Sequence, residues 1–226
     1  MAPAREVNWF AIWVSAAVVV VLIGVGALVV WLNNPSTETG DVPDAANISA
    51  ETGAIVVGDG AGTLDTYIDF MCPICNQFEQ AYGSAIQGLA DDGTITLNIH
   101  PIAILDSRSQ GTQFSSRAAS AMYCVAEADA AASVPFMQAM FANQPEEGSP
   151  GLTDAQIIEI AGSVGVSGVD ACINDGRYTK FVRAMTAKTP VQPGAGGIGT
   201  PTLAVNGKVI SNSELPEPAA LRSLFE

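Results

Sequence analysis

The chain has 226 residues, 48% of them hydrophobic, and sets 23 acidic against 9 basic side chains for a net charge of −14. That balance excludes nucleic acid as a partner, which calls for a basic face. The 173 residues from Ala54 to Glu226 suffice for one domain with a proper core.

The first segment sets the compartment. From Trp9 to Leu32 no residue is charged, and at about 1.5 Å per residue the stretch exceeds a hydrocarbon core of about 30 Å. Trp9, Trp13 and Trp31 lie towards its ends, where indoles favour the headgroup level. A cleavable signal has a shorter apolar region, about 7–15 residues, and a small-residue cleavage site. Trp31-Leu32-Asn33-Asn34-Pro35 offers none, so residues 9–32 are expected to be an uncleaved transmembrane anchor. Arg5 and the amino terminus precede it, while Glu38, Asp41, Asp44 and Glu51 follow without Lys or Arg. The positive-inside tendency therefore puts residues 1–8 in the cytoplasm and the bulk of the chain outside. Residues 33–53, rich in Pro, Thr, Ser, Asp and Asn, read as a flexible tether.

In the folded part, Ala54–Gly58 and Leu64–Phe70 read as strands joined by Asp59-Gly60-Ala61-Gly62. Asn76 to Ala90 places Phe78, Ala81, Tyr82, Ala85, Ile86 and Leu89 at helical spacing. Between strand and helix stands Cys72-Pro73-Ile74-Cys75. Two thiols three positions apart can close a disulfide across a first helical turn. The leading thiol lies among unpaired N–H groups at the positive end of the helix dipole, which favours thiolate, the species that attacks disulfides or leaves from them. Half a zinc site and a purely structural bridge are the alternatives. Zinc takes four ligands, though, and Cys124, Cys172 and the single His100 offer no second close pair, so no metal is expected.

Thr94–Ile104 is a β-branched run that completes a β–α–β unit, with the cysteines at the C-terminal edge of a strand. Helical patterns follow over Ser115–Ala132, Pro135–Asn143, Thr153–Val164, Gly168–Asn174 and Tyr178–Lys188, a helical insert at about 112–190. Thr202–Val205 and Lys208–Ser211 flank Asn206-Gly207, a hairpin turn, and an amphipathic helix over Glu217–Phe225 ends the chain. His100, in apolar context beside Pro101, reads as a packed strand residue. Arg177, Lys180, Arg183 and Lys188 read as a solvated basic face.

Four stretches together give the chain a resemblance to the DsbA family of thiol–disulfide oxidoreductases, in the membrane-tethered form of Gram-positive bacteria and actinobacteria. They are Ile68-Asp69-Phe70-Met71-Cys72-Pro73-Ile74-Cys75, Val134 through Gln144, Leu152 through Gly165, and Gly197-Ile198-Gly199-Thr200-Pro201-Thr202 through Lys208. The resemblance implies a thioredoxin-like α/β fold with a helical insertion domain, here preceded by the transmembrane helix. It implies that Cys72, the exposed thiol, forms the mixed disulfide and that Cys75 resolves it. Pro73 suits the first helical turn, where its missing N–H does no harm. Ile74 stands where strongly oxidising relatives carry histidine, and an oxidant milder than those is expected. Thr200-Pro201 is expected to be a cis-proline loop that lies against the cysteines and offers backbone groups to a substrate peptide.

Asp69 is either a proton acceptor for Cys75 or a surface carboxylate at a strand end. Thr66 stands six positions before Cys72, where many thioredoxin-fold enzymes keep a buried acid, so that role is not carried over. In an oxidising compartment Cys124 and Cys172 are expected to pair as a structural disulfide. The function implied is an extracytoplasmic, single-pass membrane enzyme without a cofactor that donates disulfides to exported cysteine-containing proteins. A quinone-linked membrane oxidase would reoxidise it. A tethered reductase or isomerase, or a non-catalytic peptide-binding or chaperone module, are the alternatives.

Overall fold

The computed structural model describes residues 9, 13–14, 18–26 and 40–226. These fall in two units, Met1–Glu38 and Thr39–Glu226. In the first, the described residues are helical and their apolar side chains are exposed. No helix among the described residues is long and apolar enough to cross a membrane. The cytoplasmic stretch expected at 1–8, much of the anchor expected at 9–32, and residues 33–39 of the tether lie outside the described residues.

The second unit is an α/β fold of the thioredoxin type with a helical insertion. Five strands, β1 (Ile55–Val57), β2 (Gly62–Ile68), β3 (Ile95–Pro101), β4 (Thr202–Val205) and β5 (Lys208–Ile210), form one sheet in the order β1-β3-β2-β4-β5. β2 and β3 run parallel, pairing Thr66 with Ile99 and Tyr67 with His100, while the other pairs are antiparallel. Alternation along β2 buries Leu64, Thr66 and Ile68 and leaves Asp65 and Tyr67 half-buried. The helix α1 (Pro73–Asp91) returns from β2 to β3, as parallel pairing requires, with Phe78, Ile86 and Leu89 buried. Each of those side chains contributes about 1.5–3 kcal/mol when fully buried.

Five helices make the insert: α2 (Phe114–Ala128), α3 (Ser133–Ala142), α4 (Asp154–Ser163), α5 (Asp170–Asn174) and α6 (Thr179–Thr186). α2 is the axle, for 12 of its 15 residues are buried, which its run of Ala and Ser allows. The ring of Tyr123 on α2 meets Phe181 of α6 edge-on at 5.1 Å, and Ser120 Oγ accepts the N–H of Tyr178. α4 opens on a capping box between Thr153 and Gln156.

Two expectations differ. Residues 40–53 are docked rather than loose: Ile48 is buried and bridges to Ile55, and Asn47 Nδ2 donates to Ala126 O at 3.1 Å. The Tyr123 hydroxyl donates to Gly53 O at 2.6 Å, and Lys188 Nζ to Glu51 O at 2.9 Å. The segment has no periodicity because it binds as irregular chain through a few anchors. The last element, Pro218–Leu224, is a 3₁₀-helix that buries only Leu221. Arg222 ties it to Asp92 and Thr94 at the end of α1.

Candidate active site

The strand-to-helix turn that leads from β2 into α1 places both thiols. Cys72 is the N-cap of α1, in extended conformation, and Pro73 begins the helix, where a missing N–H costs nothing. Cys72 and Cys75 are free thiols. Cys72 keeps 6% exposure and Cys75 none, so the thiol expected to be exposed is the more accessible of two covered ones. Ile74 between them is 53% exposed, and its side chain offers the sulfur no donor.

The two sulfurs differ in acidity. Cys72 is lowered to about 7, first by the hydrogen bond from the Cys75 thiol and then by the N–H groups of Cys75 and Ile74 at the open end of α1, while burial and Asp69 oppose this. Cys75 is raised well above the ordinary thiol value by burial and by Cys72. One sulfur is thus prepared to react near neutrality, and the other to hold its proton until partnered.

The loop before β4 closes over this pair. The Thr200–Pro201 peptide bond is cis. The Cys72 thiol donates to Thr200 O at 3.6 Å, and Cys75 Sγ lies 3.0 Å from Thr200 Oγ1. Because Thr200 Oγ1 donates its own proton to Tyr67 O at 3.1 Å, the Cys75 S–H is the donor to Thr200. The loop is pinned from both sides: Gln192 Nε2 donates to Pro201 O at 2.9 Å and to Thr202 Oγ1 at 3.1 Å, and Asn212 Nδ2 donates to Pro201 O at 2.9 Å. Exposed Val191 and Ile198 lie in this loop as Ile74 lies beside Cys72, so the site segments carry apolar side chains to solvent.

Asp69 overturns the surface-carboxylate reading, for it is fully buried. Its Oδ1 accepts from Met71 N at 2.9 Å and Ser115 Oγ at 2.7 Å, and its Oδ2 from Ile104 N at 2.9 Å and Leu105 N at 3.0 Å. Burial lifts its carboxyl to about 6 even against those four donors. Thr66 lines a cavity of ≈ 20 Å³ with Glu79, Phe78 and Met137, and burial raises the Glu79 carboxyl. His100 is buried, with Nε2 2.9 Å from Asp65 Oδ1 and its ring stacked on Tyr67 at 4.1 Å. Cys124 and Cys172 are bonded to each other, joining α2 to α5. Arg177, Lys180, Arg183 and Lys188 are exposed, and Arg183 Nη2 donates to Gln113 Oε1 at 2.8 Å.

The contacts of the supporting amides have no signal in the sequence, although Gln144 closes one of the stretches that carry the resemblance. Gln144, which follows α3, gives both hydrogens of Nε2 to the Cys turn, to Phe70 O at 3.0 Å and Cys72 O at 2.9 Å. Asn76 Nδ2 holds Gln144 Oε1 at 3.1 Å. Gln144 and Gln192 are polar residues among many, and nothing but the fold shows which carbonyls they meet.

A cysteine pair at a helix start, facing a Thr-Pro loop, defines a dithiol exchange site on a thioredoxin-type sheet. The family model described as Thioredoxin matches residues 51–224. The chain therefore belongs to the thioredoxin family, within it to the DsbA-like thiol–disulfide oxidoreductases of actinobacterial type. It is similar to the reduced DsbA of Mycobacterium tuberculosis, at 34% identity and a TM-score of 0.64 over 74% of this chain and 88% of that one. The disulfide bond oxidoreductase DsbG of the same organism aligns at 32% identity and 0.62, covering 79% and 82%. MdbA of Actinomyces oris, a thiol-disulfide oxidoreductase, aligns at 25% and 0.66, covering 85% and 92%. Among curated proteins, the serine/threonine-protein kinase PknE of M. tuberculosis is 30% identical over 140 residues, 59% of this chain but only 25% of the kinase.

Proposed function

We propose that this oxidoreductase works outside the cytoplasm, tethered by residues 9–32, and donates the Cys72–Cys75 disulfide to exported proteins with reduced cysteines. A substrate thiolate attacks Cys72 Sγ, the Cys72–Cys75 bond breaks, and Cys75 leaves with the electron pair and takes up a proton. A second substrate thiolate then attacks the substrate sulfur of the mixed disulfide and expels Cys72 as thiolate. The enzyme ends as dithiol and the substrate as disulfide. A quinone-linked membrane oxidase would take the two electrons back from the enzyme. Asp69 is assigned to exchange the Cys75 proton, giving it when Cys75 leaves and accepting it when Cys75 attacks to resolve a mixed disulfide, since its carboxyl titrates at about 6 and its backbone N–H faces the Cys75 sulfur. The Thr200–Pro201 loop offers the extended peptide its backbone groups.

The observation that carries this reading is the Cys72 thiol at 3.6 Å from Thr200 O with its acidity near 7: a good leaving group beside a strand-like docking edge. The deciding measurement is the reduction potential against glutathione, with transfer of the bond to a reduced polypeptide. A potential above about −180 mV supports the donor, and one below about −230 mV supports a tethered reductase or isomerase. The second reading draws on the same Cys72 value, which is far from the about 3.5 of the most oxidising relatives. Alkali extraction of membranes and protease treatment of intact cells test the anchor and its orientation.

A further inference from the structure

Among the described residues, the Gln144 amide is the one side-chain group of the helical insert that hydrogen-bonds the backbone of the Cys turn, and its own bonds leave it no freedom. Its two hydrogens are taken by Phe70 O and Cys72 O, and its oxygen by Asn76 Nδ2. The second hydrogen of Asn76 Nδ2 goes to Phe141 O at 3.1 Å, and its oxygen accepts from Gln80 Nε2 at 2.9 Å. Every polar atom of the Gln144 and Asn76 amides is therefore spoken for, which fixes which way each points. Gln144 N bonds Phe141 O at 3.2 Å and the Phe141 ring packs on Phe70 at 5.2 Å, so the end of α3 and the turn at 70–72 move together.

We propose that Gln144 is a positioning residue for thiol exchange: its amide, aimed by Asn76, holds the Phe70 and Cys72 carbonyls so that Cys72 Sγ stays against the Thr200 loop and its thiolate is favoured. The electrostatics give the sign. The Cys72 carbonyl belongs to the residue that bears the sulfur, and the Gln144 hydrogens offset the negative end of that dipole. Without those hydrogens, Cys72 O keeps only the 3.3 Å bond from Asn76 N. The thiolate then sits in a more negative setting, and the helical insert loses its direct bonds to the turn's carbonyls. The role rests on the thiol chemistry alone and is independent of which way electrons flow in the cell.

The test is Gln144→Met, which keeps the length of the side chain and removes its donors and acceptor, with Asn76→Ala and the double variant beside it. Three readouts are taken: the pH profile of Cys72 alkylation, the reduction potential against glutathione, and thermal unfolding. The expected result is a Cys72 titration raised by about one unit, which cuts thiolate at pH 7 about fivefold. Asn76→Ala should shift it less in the same direction, and the double variant should do no more than Gln144→Met alone, because Asn76 acts through Gln144. A variant that loses stability while Cys72 titrates and reduces as before overturns the proposal, as does full additivity of the two substitutions. Should Gln144→Met fail to fold, Asn76→Ala at its half-exposed position decides, an unchanged Cys72 titration counting against the proposal.

Discussion

Thr200→Val separates what the hydroxyl does for folding from what it does for redox balance. Thr200 Oγ1 receives the Cys75 S–H at 3.0 Å and donates to Tyr67 O at 3.1 Å, and valine keeps the shape without either bond. The Tyr67 carbonyl loses its hydroxyl partner in dithiol and disulfide forms alike, so that loss appears in stability, at about 1–3 kcal/mol. The S–H bond exists only in the dithiol form, so its loss, about 1 kcal/mol, appears in the redox equilibrium. For a two-electron couple that is a reduction potential lower by about 20 mV, or about fivefold in the equilibrium constant with glutathione. Because the three tryptophans are Trp9, Trp13 and Trp31, outside the catalytic unit, the assay is alkylation and mass shift in glutathione mixtures rather than indole fluorescence. A potential unchanged or raised, in a variant whose melting point has fallen, would refute the hydrogen bond from the Cys75 thiol to Thr200.

Alkylation of Cys72 in the reduced protein should half-saturate near pH 7, and a midpoint near 9 would remove the helix-end and Cys75 contributions from the account. Asp69 is held at about 6 in the folded protein against 3.8 for the free group, so the folded state binds this proton more tightly. Stability from that proton is present at acidic pH and is lost as pH rises through about 4 to 6, by roughly 3 kcal/mol. Asp69→Asn should flatten that slope in denaturant titrations at pH 4 and 7 and slow exchange, and unchanged exchange rates would retire its proton role. Cys124→Ala with Cys172→Ala should lower unfolding free energy by about 4 kcal/mol for the 48-residue separation while leaving Cys72 alkylation unchanged. A chain begun at Ala54 should be less stable than one begun at Gly40 by on the order of 3 kcal/mol, from exposing the Ile48 site and stranding the Tyr123 hydroxyl, and equal melting would show the segment to be idle.

The strands and helices were legible where one period dominates. β2 alternates, α1 repeats every three to four residues, and Asn206-Gly207 marks the hairpin. The cysteine pair announces its chemistry from its position between strand and helix alone. Thr200-Pro201 carries no such signal, since a proline before a strand fits an ordinary turn, and only family likeness picked it out. Three features stayed hidden for physical reasons. Asp69 reads as a strand-end carboxylate because its four donors come from the turn at Met71, the loop at 104–105 and α2, all set by the tertiary fold. Residues 40–53 bind through Asn47, Ile48 and backbone atoms, too few contacts to imprint a pattern. Gln144 and Gln192 act across 72 and 9 positions of sequence, through amide hydrogens that any surface glutamine also has.

The Cys124–Cys172 link has a consequence for how each new copy matures. Four cysteines can join in three different ways, and only one of them leaves the reactive couple intact. A newborn chain that meets an oxidant has Cys72 and Cys75 adjacent and able to close first, whereas the other partners wait until α2 and α5 have met. The scaffold bond therefore depends on an oxidant acting after the lobe has folded, and expression in a reducing cytosol would yield a domain whose thiols are present but whose lobe lacks its staple.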